Sequence, residues 1–538
     1  MSSGCQGKRA AIAIAAALTV FAGSTQAIGG PVAVSKSTTF FTQPLRPNGL
    51  VDYIAALNKH YRAVEGFDTK PAAALVKVLG PELISLKYRQ QTLQALGVER
   101  PAKLSAGFVD IGQFGEDEDE LLRQLKAGGE SPWSASEYPL AAAWLEANRA
   151  ALGALRRLPD EEQFWIPVPE DEGYLCSVGR WYADWQLVGR LCAAACDRSL
   201  LCLDMKNFDD AWQDVTSVHE VARSFAKAGS LSQWGVAVRV ENSALSAEQQ
   251  ILSSDCLPPD RMLDLLRQLS ERPAFPSVHL PVQVWERAWR LSLLNLLYEQ
   301  GPAPFLSLLN GEAVETLTDP EARWIELRDS MDWDAAYRAV NAHCDQWVEA
   351  LAVSDDAERL RRIKQLHERL KDLHVDVGEG LRNVVREELP VLKPSKAQFE
   401  ESPTLFFLWA LPDASRRASE TPSARTEHAK LLADFLTSFV AQDVLSLYEE
   451  SCGVRVRSEL NTTLLALLVH RARHGTFPES LESLTPEYLD RAPVDAFSER
   501  TLHYTPRDDK NRCLLYSVGP NQIDDGGAGD DIAVVLSN

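Results

Sequence analysis

The chain has 538 residues, of which 45% are hydrophobic and 24% are charged, enough for two to four domains with a substantial core. Its formal net charge of −21 excludes a surface for nucleic acid or anionic membrane. Phosphate contacts need clustered Lys and Arg, and the sequence has no such cluster. We therefore expect no nucleic-acid partner.

The first residues have the order of a signal peptide. Lys8 and Arg9 precede an apolar run over residues 10–23, and Ala27 lies at the position that a signal peptidase reads. The run is shorter than the about 20 apolar residues of a transmembrane helix. We therefore predict a cleaved signal over 1–27 and an exported protein, periplasmic or secreted, without a stable membrane span. A retained anchor is the alternative.

After this segment the chain carries mainly a helical pattern up to about residue 452, except in its first stretch. Residues 28–47, with their Gly, Pro and Ser, are predicted to form a flexible arm, and residues 48–452 an all-helical body. Segments 182–205 and 207–229 flank a short polar turn, which indicates antiparallel helix pairs. Other predicted helices lie at 49–64, 82–98, 116–129, 134–158, 259–271, 281–300, 331–352, 355–373 and 423–450.

Tryptophan is confined to the body. All thirteen tryptophans lie between Trp133 and Trp409. Pairs such as Trp285 and Trp289 are spaced to share one helix face, so we interpret the tryptophans as core anchors between helices. A tryptophan-lined carbohydrate groove is the alternative.

Eight cysteines remain after the predicted cleavage, an even number that permits disulfides in an exported chain without showing whether they form. Cys192, Cys196 and Cys202 lie close together in a helical pattern. No second pair of ligands lies nearby, so we interpret them as buried thiols rather than a zinc site.

Catalytic motifs are absent from the sequence. It has no Gly-x-Ser-x-Gly elbow, Walker loop, Gly-x-Gly-x-x-Gly or His-Glu-x-x-His. His219 and Glu220 are adjacent on a predicted helix, so their side chains point about 100° apart and do not form an acid/base pair by spacing. We predict no catalytic residue, although polar groups from different helices can meet in the folded chain. Carboxylates such as Glu286 and Asp332 exemplify what a hydrolase would use, but nothing in the sequence selects them.

The C-terminal residues 453–538 change to a mixed pattern. A helix and a short Pro-started helix are predicted within 457–484, and a hairpin turn at 506–511. Three short strands are predicted at 501–505, 512–517 and 532–536. The third is wholly apolar and is expected on the core face of the sheet. The predicted fold class is therefore mainly α: a large body of antiparallel helix pairs, followed by a small α+β module with a short antiparallel sheet.

The loop VGPNQIDDGGAGDD, residues 518–531, concentrates oxygen ligands. It contains the Asn521 amide and four carboxylates, Asp524, Asp525, Asp530 and Asp531, around flexible glycines. Ca²⁺ binds about six to eight oxygen atoms, whereas zinc and copper prefer the Cys and His that this loop lacks. EF-hand spacing is absent as well. The loop is either a calcium site or a solvated acidic loop.

Residues 455–538 resemble the C-terminal part of the type II secretion major pseudopilin. The resemblance is carried, in order, by HGTFPESLESL, PVDAF, TLHY and LLYSVGPN…GGAGDDI. It implies a structural calcium ion held by the loop, with the Val518 carbonyl, Asn521, Asp530 and Asp531 at the matched positions. The predicted metal ligands are therefore Val518, Asn521, Asp524, Asp525, Asp530 and Asp531.

The chain also departs from the pseudopilin pattern. Asn521 stands where an Asp is usual, Asp524 and Asp525 are additions, and PVDAF replaces Pro-x-Asp-Pro-Phe. The short basic leader and apolar N-terminal helix of a pilin are missing, which implies that the chain is not a fibre subunit. The body, in turn, resembles a group of exported helical proteins of planctomycete bacteria, through LVDYIAALNKHYRAVEG, SPWSASEYPLAAAWLEAN and NFDDAWQDVTSVHEVARSFAKAG; that group has no assigned activity.

Three functions are compatible with these features. The first is an exported, non-enzymatic binding or envelope structural protein with a calcium-stabilised C-terminal module. The second is a hydrolase of envelope glycans or peptides, with a cleft in the Trp-rich body. The third is an accessory factor that docks to type II secretion or pilus machinery through the module.

Overall fold

A computed structural model describes residues 32–63, 67–98, 107–115, 117–129, 131–158, 163–170, 173–178, 183–227, 229–301, 304, 328, 331–388, 422–438, 442–506 and 512–536. The signal peptide predicted at 1–27 lies outside the described residues, as does most of the hairpin turn predicted at 506–511.

In this described part the chain is mainly helical and ends in a small antiparallel sheet, which confirms the predicted fold class. The helices are α1 (Tyr53–Ala63), α2 (Lys70–Leu79), α3 (Arg89–Ala95), α4 (Glu118–Gly128), α5 (Pro139–Ala147), α6 (Arg149–Leu155), α7 (Leu175–Val178), α8 (Trp185–Asp204), α9 (Phe208–Ala226), α10 (Leu231–Ser253), α11 (Met262–Glu271), α12 (Arg287–Gln300), α13 (Trp333–Leu351), α14 (Asp356–Glu388), α15 (Pro422–Ser438) and α16 (Gln442–His474).

Shorter helical pieces connect some of these helices, and one minor sheet interrupts the body that was predicted to be all-helical. A π-helix, Pro281–Glu286, leads into α12. Three short segments are 3₁₀ helices: Pro81–Leu83, Ile111–Gln113 and Leu481–Leu484. The two-residue strands β1 (Phe67–Asp68) and β2 (Gln163–Phe164) pair in parallel.

Helices α8, α9 and α10 pack on one another at the centre of the body. Each begins at a residue whose side-chain oxygen accepts a backbone N–H of the first turn, which stabilises such a start by about 1 kcal/mol. Asp184 accepts the Gln186 N–H at 3.1 Å, Asn207 accepts the Asp210 N–H at 3.3 Å, and Ser230 accepts the Gln233 N–H at 3.2 Å. The antiparallel pair predicted around residue 206 is therefore present as α8 and α9.

The C-terminal sheet has the strand order β3 (His503–Pro506), β4 (Cys513–Ser517), β5 (Ile532–Leu536), with both pairs antiparallel. As in any strand, successive side chains of β5 point to opposite faces of the sheet. Val534 is buried, whereas Val535 is 60% exposed. The expectation that this whole strand lies on the core face is therefore wrong.

Helix α16 joins the body to this sheet. It packs against α10 and α11 on one side and against β4 and β5 on the other. The domain boundary predicted between residues 452 and 453 falls inside this helix, because Cys452, Val454 and Val456 stay buried across it. The body and the C-terminal module thus share one continuous element.

The segment predicted as a flexible arm is packed where the structure describes it. Val32, Thr38 and Thr39 are buried, and the Ala33 N–H donates to Asp334 Oδ1 of α13 at 2.7 Å. Polar side chains in this stretch satisfy their own backbone, as when Thr39 Oγ1 donates to the Phe41 carbonyl at 2.8 Å. Composition alone therefore misjudged residues 32–47.

The tryptophans form the core of the body. Nine of the ten that the structure describes are buried: Trp133, Trp144, Trp165, Trp185, Trp234, Trp285, Trp289, Trp333 and Trp347. Stacking of Trp165 on Tyr61, with ring centroids 4.0 Å apart, is one such contact. The interpretation as core anchors is confirmed for these residues.

All eight cysteines in the described part of the chain are free thiols. Cys192, Cys196 and Cys202 are buried, as their interpretation as small apolar residues requires. Burial raises the pKa of Cys192 to about 12, so this thiol stays protonated. No helix among the described residues combines the length and apolarity needed to cross a bilayer.

Candidate metal centre

The acidic loop begins where β4 ends, and a buried carboxylate fixes that point. Asp495, which is fully buried, accepts hydrogen bonds from Ser517 Oγ at 2.8 Å and from the Val518 N–H at 3.1 Å. It also accepts the Phe497 N–H at 2.9 Å and Ser498 Oγ–H at 3.0 Å. These four bonds satisfy the carboxylate and set the direction in which the chain leaves the sheet.

A glycine then lets the two ends of the loop meet. Gly519 has φ of 64°, and a Cβ at this position would lie 2.2 Å from the Asp530 carbonyl oxygen. Any side chain would therefore push residue 530 away. Gly519 is required for the close approach that brings Asp530 back beside the start of the loop.

Three of the predicted ligands come together in this loop. Asp525, Asp530 and Asp531 offer carboxylate oxygens that lie within 4.8 Å of one another. We call these three residues the acidic cluster. Charges at this separation repel by about 1 kcal/mol per pair in water-like surroundings and by about 3 kcal/mol at an effective dielectric constant of about 20.

Backbone N–H groups offset part of this repulsion. Asp531 Oδ2 accepts the Gly527 N–H at 2.8 Å and the Asp525 N–H at 3.1 Å, and Asp530 Oδ2 accepts the Asn521 N–H at 3.0 Å. The other oxygen of Asp531, Oδ1, is buried and has no hydrogen-bond partner. No Lys, Arg or His among the described residues pairs with the acidic cluster, so the cation that would balance it must come from outside the described chain.

Asn521 also lies on the acidic cluster. Its side-chain Nδ2 donates to Asp530 Oδ1 and lies 3.5 Å from Asp525 Oδ2, while its Oδ1 accepts the Ile523 N–H at 2.6 Å. In this arrangement the amide nitrogen faces the carboxylates. A bound cation requires the amide to rotate by about 180°, so that the oxygen faces it instead.

Asp524, another of the predicted ligands, has different partners. Asp524 accepts Tyr516 O–H at 3.0 Å and the Gly526 N–H at 3.0 Å, and its Oδ2 is 3.5 Å from His503 Nδ1. The Gly526 N–H and the tyrosine hydroxyl lower the pKa of Asp524 below its usual value. Val518 is buried, and its N–H contacts Asp495. The structure therefore gathers Asn521, Asp525, Asp530 and Asp531, and it places Asp524 apart.

A different group of charges is buried in the body, where sequence patterns did not predict it. His219 Nδ1 lies 2.9 Å from Glu241 Oε2, and His219 Nε2 lies 3.3 Å from Glu248 Oε2. Arg223 donates to Glu241 at 2.7 Å, and both Nη atoms of Arg272 donate to Glu248. We call these five residues the core network. In the core network, side chains of the chain itself supply both the negative carboxylates and the positive groups that pair with them.

Titration within the core network follows from those contacts. Burial is the largest influence on His219 and lowers its pKa, but the carboxylates of Glu241 and Glu248 together outweigh burial and raise the pKa above the usual value. Burial raises the pKa of Glu241 and Glu248, yet His219 and the arginines outweigh it and hold both pKa values below the usual range. All three groups are therefore charged together near pH 6.

Spacing gave a partial signal for the core network. His219 and Arg223 lie four residues apart, and Glu241 and Glu248 lie seven apart, so each pair shares one helix face. The sequence does not show that α9 turns its pair toward the pair on α10. His219 was instead compared with its neighbour Glu220, which lies on another face.

The carboxylates named for a hydrolase serve the ends of helices. Glu286 accepts the Leu231 N–H at 3.1 Å, at the start of α10. Asp332 accepts the Ala335 N–H at 3.0 Å and Thr426 Oγ1–H at 3.0 Å, at the start of α13. Both side chains thus satisfy backbone groups that helix starts leave without partners.

Comparison of the chain with protein-family models, with curated proteins and with solved structures gave no match. The resemblances to the major pseudopilin and to the planctomycete proteins therefore stay predictions. The candidate site rests on the geometry of Asn521 and the acidic cluster.

Proposed function

We propose that the chain is an exported, non-enzymatic binding or envelope structural protein whose C-terminal module is stabilised by calcium. The observation that carries the proposal is the buried Asp531 Oδ1, which has no partner and lies beside Asp525 and Asp530. An unpartnered, buried carboxylate oxygen is costly unless a cation binds it. The cluster offers only oxygen ligands, which suits Ca²⁺ rather than zinc or copper.

The ion's role in this proposal is structural. Asp525, Asp530 and Asp531 hold it, joined by Asn521 once its amide rotates. The ion supplies positive charge at the point where the loop closes between β4 and β5. Loss of the ion leaves three mutually repelling carboxylates, which favours opening of the loop and exchange of the edge strand with solvent.

The helical body supports the non-enzymatic part of the proposal. Glu286 and Asp332 accept backbone N–H groups at helix starts, and the described tryptophans, apart from the half-buried Trp212, are buried between helices. These side chains are already committed to holding the fold. A scaffold of this kind suits binding or envelope structure.

The calcium proposal is tested by removing and returning the ion. Chelator-treated protein should melt at a lower temperature and be cleaved faster within residues 518–531. Added Ca²⁺ at about 100 times its dissociation constant should restore about 2.7 kcal/mol of unfolding free energy. Asp531→Asn should abolish this response, whereas the matched control Asp524→Asn should keep it. If chelator changes neither melting nor cleavage, the proposal fails.

Export is tested separately, on the cells that make the protein. Intact-mass analysis of the envelope and medium fractions should find a chain beginning at Ile28, which is the product of cleavage after Ala27. A full-length chain confined to the cytosol would contradict the predicted signal peptide. This result does not depend on calcium.

A further inference from the structure

A groove of about 500 Å³ lies where the body, α16 and the C-terminal module meet. One wall consists of Ser243 and Ser246 of α10, and the opposite wall consists of Phe497, Pro520 and Ile532 of the module. Its size falls within the about 300–1,000 Å³ of small-molecule sites. The groove combines hydroxyl groups on one side with an apolar surface on the other.

The floor of the groove is one face of α16. Ser446, Glu450, Gly453 and Arg457 all line the groove. They follow one another at intervals of four, three and four residues, so they lie in a row along the helix. The two charged residues of opposite sign stand at either side of the glycine.

Both of these charged side chains lack a partner among the described residues. Glu450 Oε2 is buried without a hydrogen bond, and no described cation pairs with its carboxylate. Arg457 likewise makes no ion pair or hydrogen bond with the described residues, and burial lowers the pKa of its guanidinium. Half-buried charges without partners are costly, and a ligand with matching charges would satisfy both. Glu449 also lines the groove, but its carboxylate already lies 3.4 Å from Lys364 Nζ.

Gly453 keeps the floor between these charges open. A glycine inside a helix destabilises it relative to alanine. Here a Cβ would meet no atom within 4 Å, so packing in the protein does not require the glycine. The open space above it belongs to the groove.

We propose that this groove binds a short zwitterionic peptide, whose carboxylate pairs with Arg457 and whose ammonium group pairs with Glu450. Seven residues of helix separate the two Cα atoms by about 10.5 Å. An extended dipeptide spans about 7 Å, and a hydrogen bond at one end adds about 3 Å. The resulting length of about 10 Å matches the separation of the two Cα atoms. The serine hydroxyls face the peptide group, and the apolar wall faces its side chains. This inference does not depend on the calcium ion.

Three probes test the two ends separately on the purified chain, with affinities measured by calorimetry. They are alanyl-alanine, N-acetyl-alanyl-alanine, which lacks the ammonium group, and alanyl-alanine amide, which lacks the carboxylate. We expect alanyl-alanine to bind, and each blocked probe to bind about tenfold more weakly or worse, as the loss of one charged hydrogen bond requires.

Variants then assign each end to its residue. The Glu450→Gln variant should bind N-acetyl-alanyl-alanine as tightly as it binds alanyl-alanine. The Arg457→Gln variant should bind alanyl-alanine amide as tightly as it binds alanyl-alanine. Gly453→Leu should fill the floor and abolish binding. The control Glu146→Gln changes an exposed carboxylate outside the groove and should bind alanyl-alanine as the wild type does.

Circular dichroism shows whether each variant is folded. Gly453→Ala tests whether the space at residue 453 is open, because an alanine that fits there should stabilise the helix and raise the melting temperature. The proposal is overturned if alanyl-alanine does not bind the wild type. It is also overturned if the three probes bind equally well, or if folded Glu450→Gln and Arg457→Gln variants discriminate among them as the wild type does.

Discussion

The core network and the acidic cluster both gather carboxylates, and they neutralise them in different ways. In the body, His219, Arg223 and Arg272 surround Glu241 and Glu248, so the folded chain supplies its own counter-charges. In the C-terminal loop, three carboxylates meet with backbone N–H groups and no described cation. The body therefore balances its buried carboxylates with its own side chains, whereas the proposed balance of the acidic cluster comes from a cation in the solution.

This difference predicts that the two regions respond to different perturbations. Removing one member of the core network leaves a buried charge without its partner, and no solute can replace it. Removing a bound ion from the module leaves its carboxylates unbalanced, and adding the ion back to the solution restores the balance. The joining helix α16 touches both regions, since Asn461 Nδ2 donates to Glu248 Oε1 at 2.9 Å.

The largest effect is expected from Glu248→Gln. This change leaves His219 and Arg272 buried with too few acceptors, which costs about 3–5 kcal/mol when one partner of a buried pair is removed. Urea unfolding measures the loss. The exposed pair of Glu146 and Arg149 gives the matched control, and Glu146→Gln should leave the midpoint unchanged. Equal midpoints for the two variants would refute the role given to the core network.

Asp495→Asn should destabilise the module by about 2–3 kcal/mol, because an amide cannot accept all the bonds that Ser517, Val518 and Phe497 donate. The loss should be seen as faster hydrogen exchange in β4 and β5. It should also weaken calcium binding, since Asp495 sets the start of the loop. Exposed Asp490→Asn serves as the control. Unchanged exchange in both strands would show that Asp495 does not fix this turn.

A smaller effect is expected from pH, and it should come from the body. The folded pKa values of Glu241 and Glu248 lie below the usual glutamate value of 4.5, so their contribution to stability is present above about pH 4.5 and is lost as the pH falls through the folded values. The folded pKa of His219 lies above the usual histidine value of 6.5, so its contribution is full below that pH and is lost as the pH rises through the folded value. Unfolding free energy should thus be highest between these limits.

The same measurement on His219→Gln separates this network from other titrating groups. The variant should lose the decline on the alkaline side. Its decline on the acid side should be smaller but present, because the arginines still lower the pKa of Glu241 and Glu248. An alkaline decline of the same size in the variant would assign the effect to another residue.

The fold was predictable where the pattern was local. Apolar spacing and the polar turn near residue 206 were enough for α8 and α9, and four Asp within eight residues marked the loop. What depended on tertiary packing was not predictable. The partner of His219 lies on α10, and Asp524 turns away from the acidic cluster because Tyr516 and His503 of the neighbouring strands reach it.

Packing also decided the two other errors. The arm at residues 32–47 lacks a periodic pattern, yet Thr38 and Thr39 bury their hydroxyls against its own backbone. The strand Ile532–Leu536 is wholly apolar, yet Val535 points to the face opposite the buried Val534 and Leu536 and is exposed. Composition describes neither the partner of a polar group nor which face of a sheet is covered.

Calorimetric titration of the chelator-treated protein with Ca²⁺ tests the central claim most directly. The wild type and Asp524→Asn should each bind one ion per chain, and Asp531→Asn should bind none, because Asp531 places a buried oxygen without a hydrogen-bond partner in the cluster. Equal binding by all three proteins, or no binding by the wild type, would contradict the account.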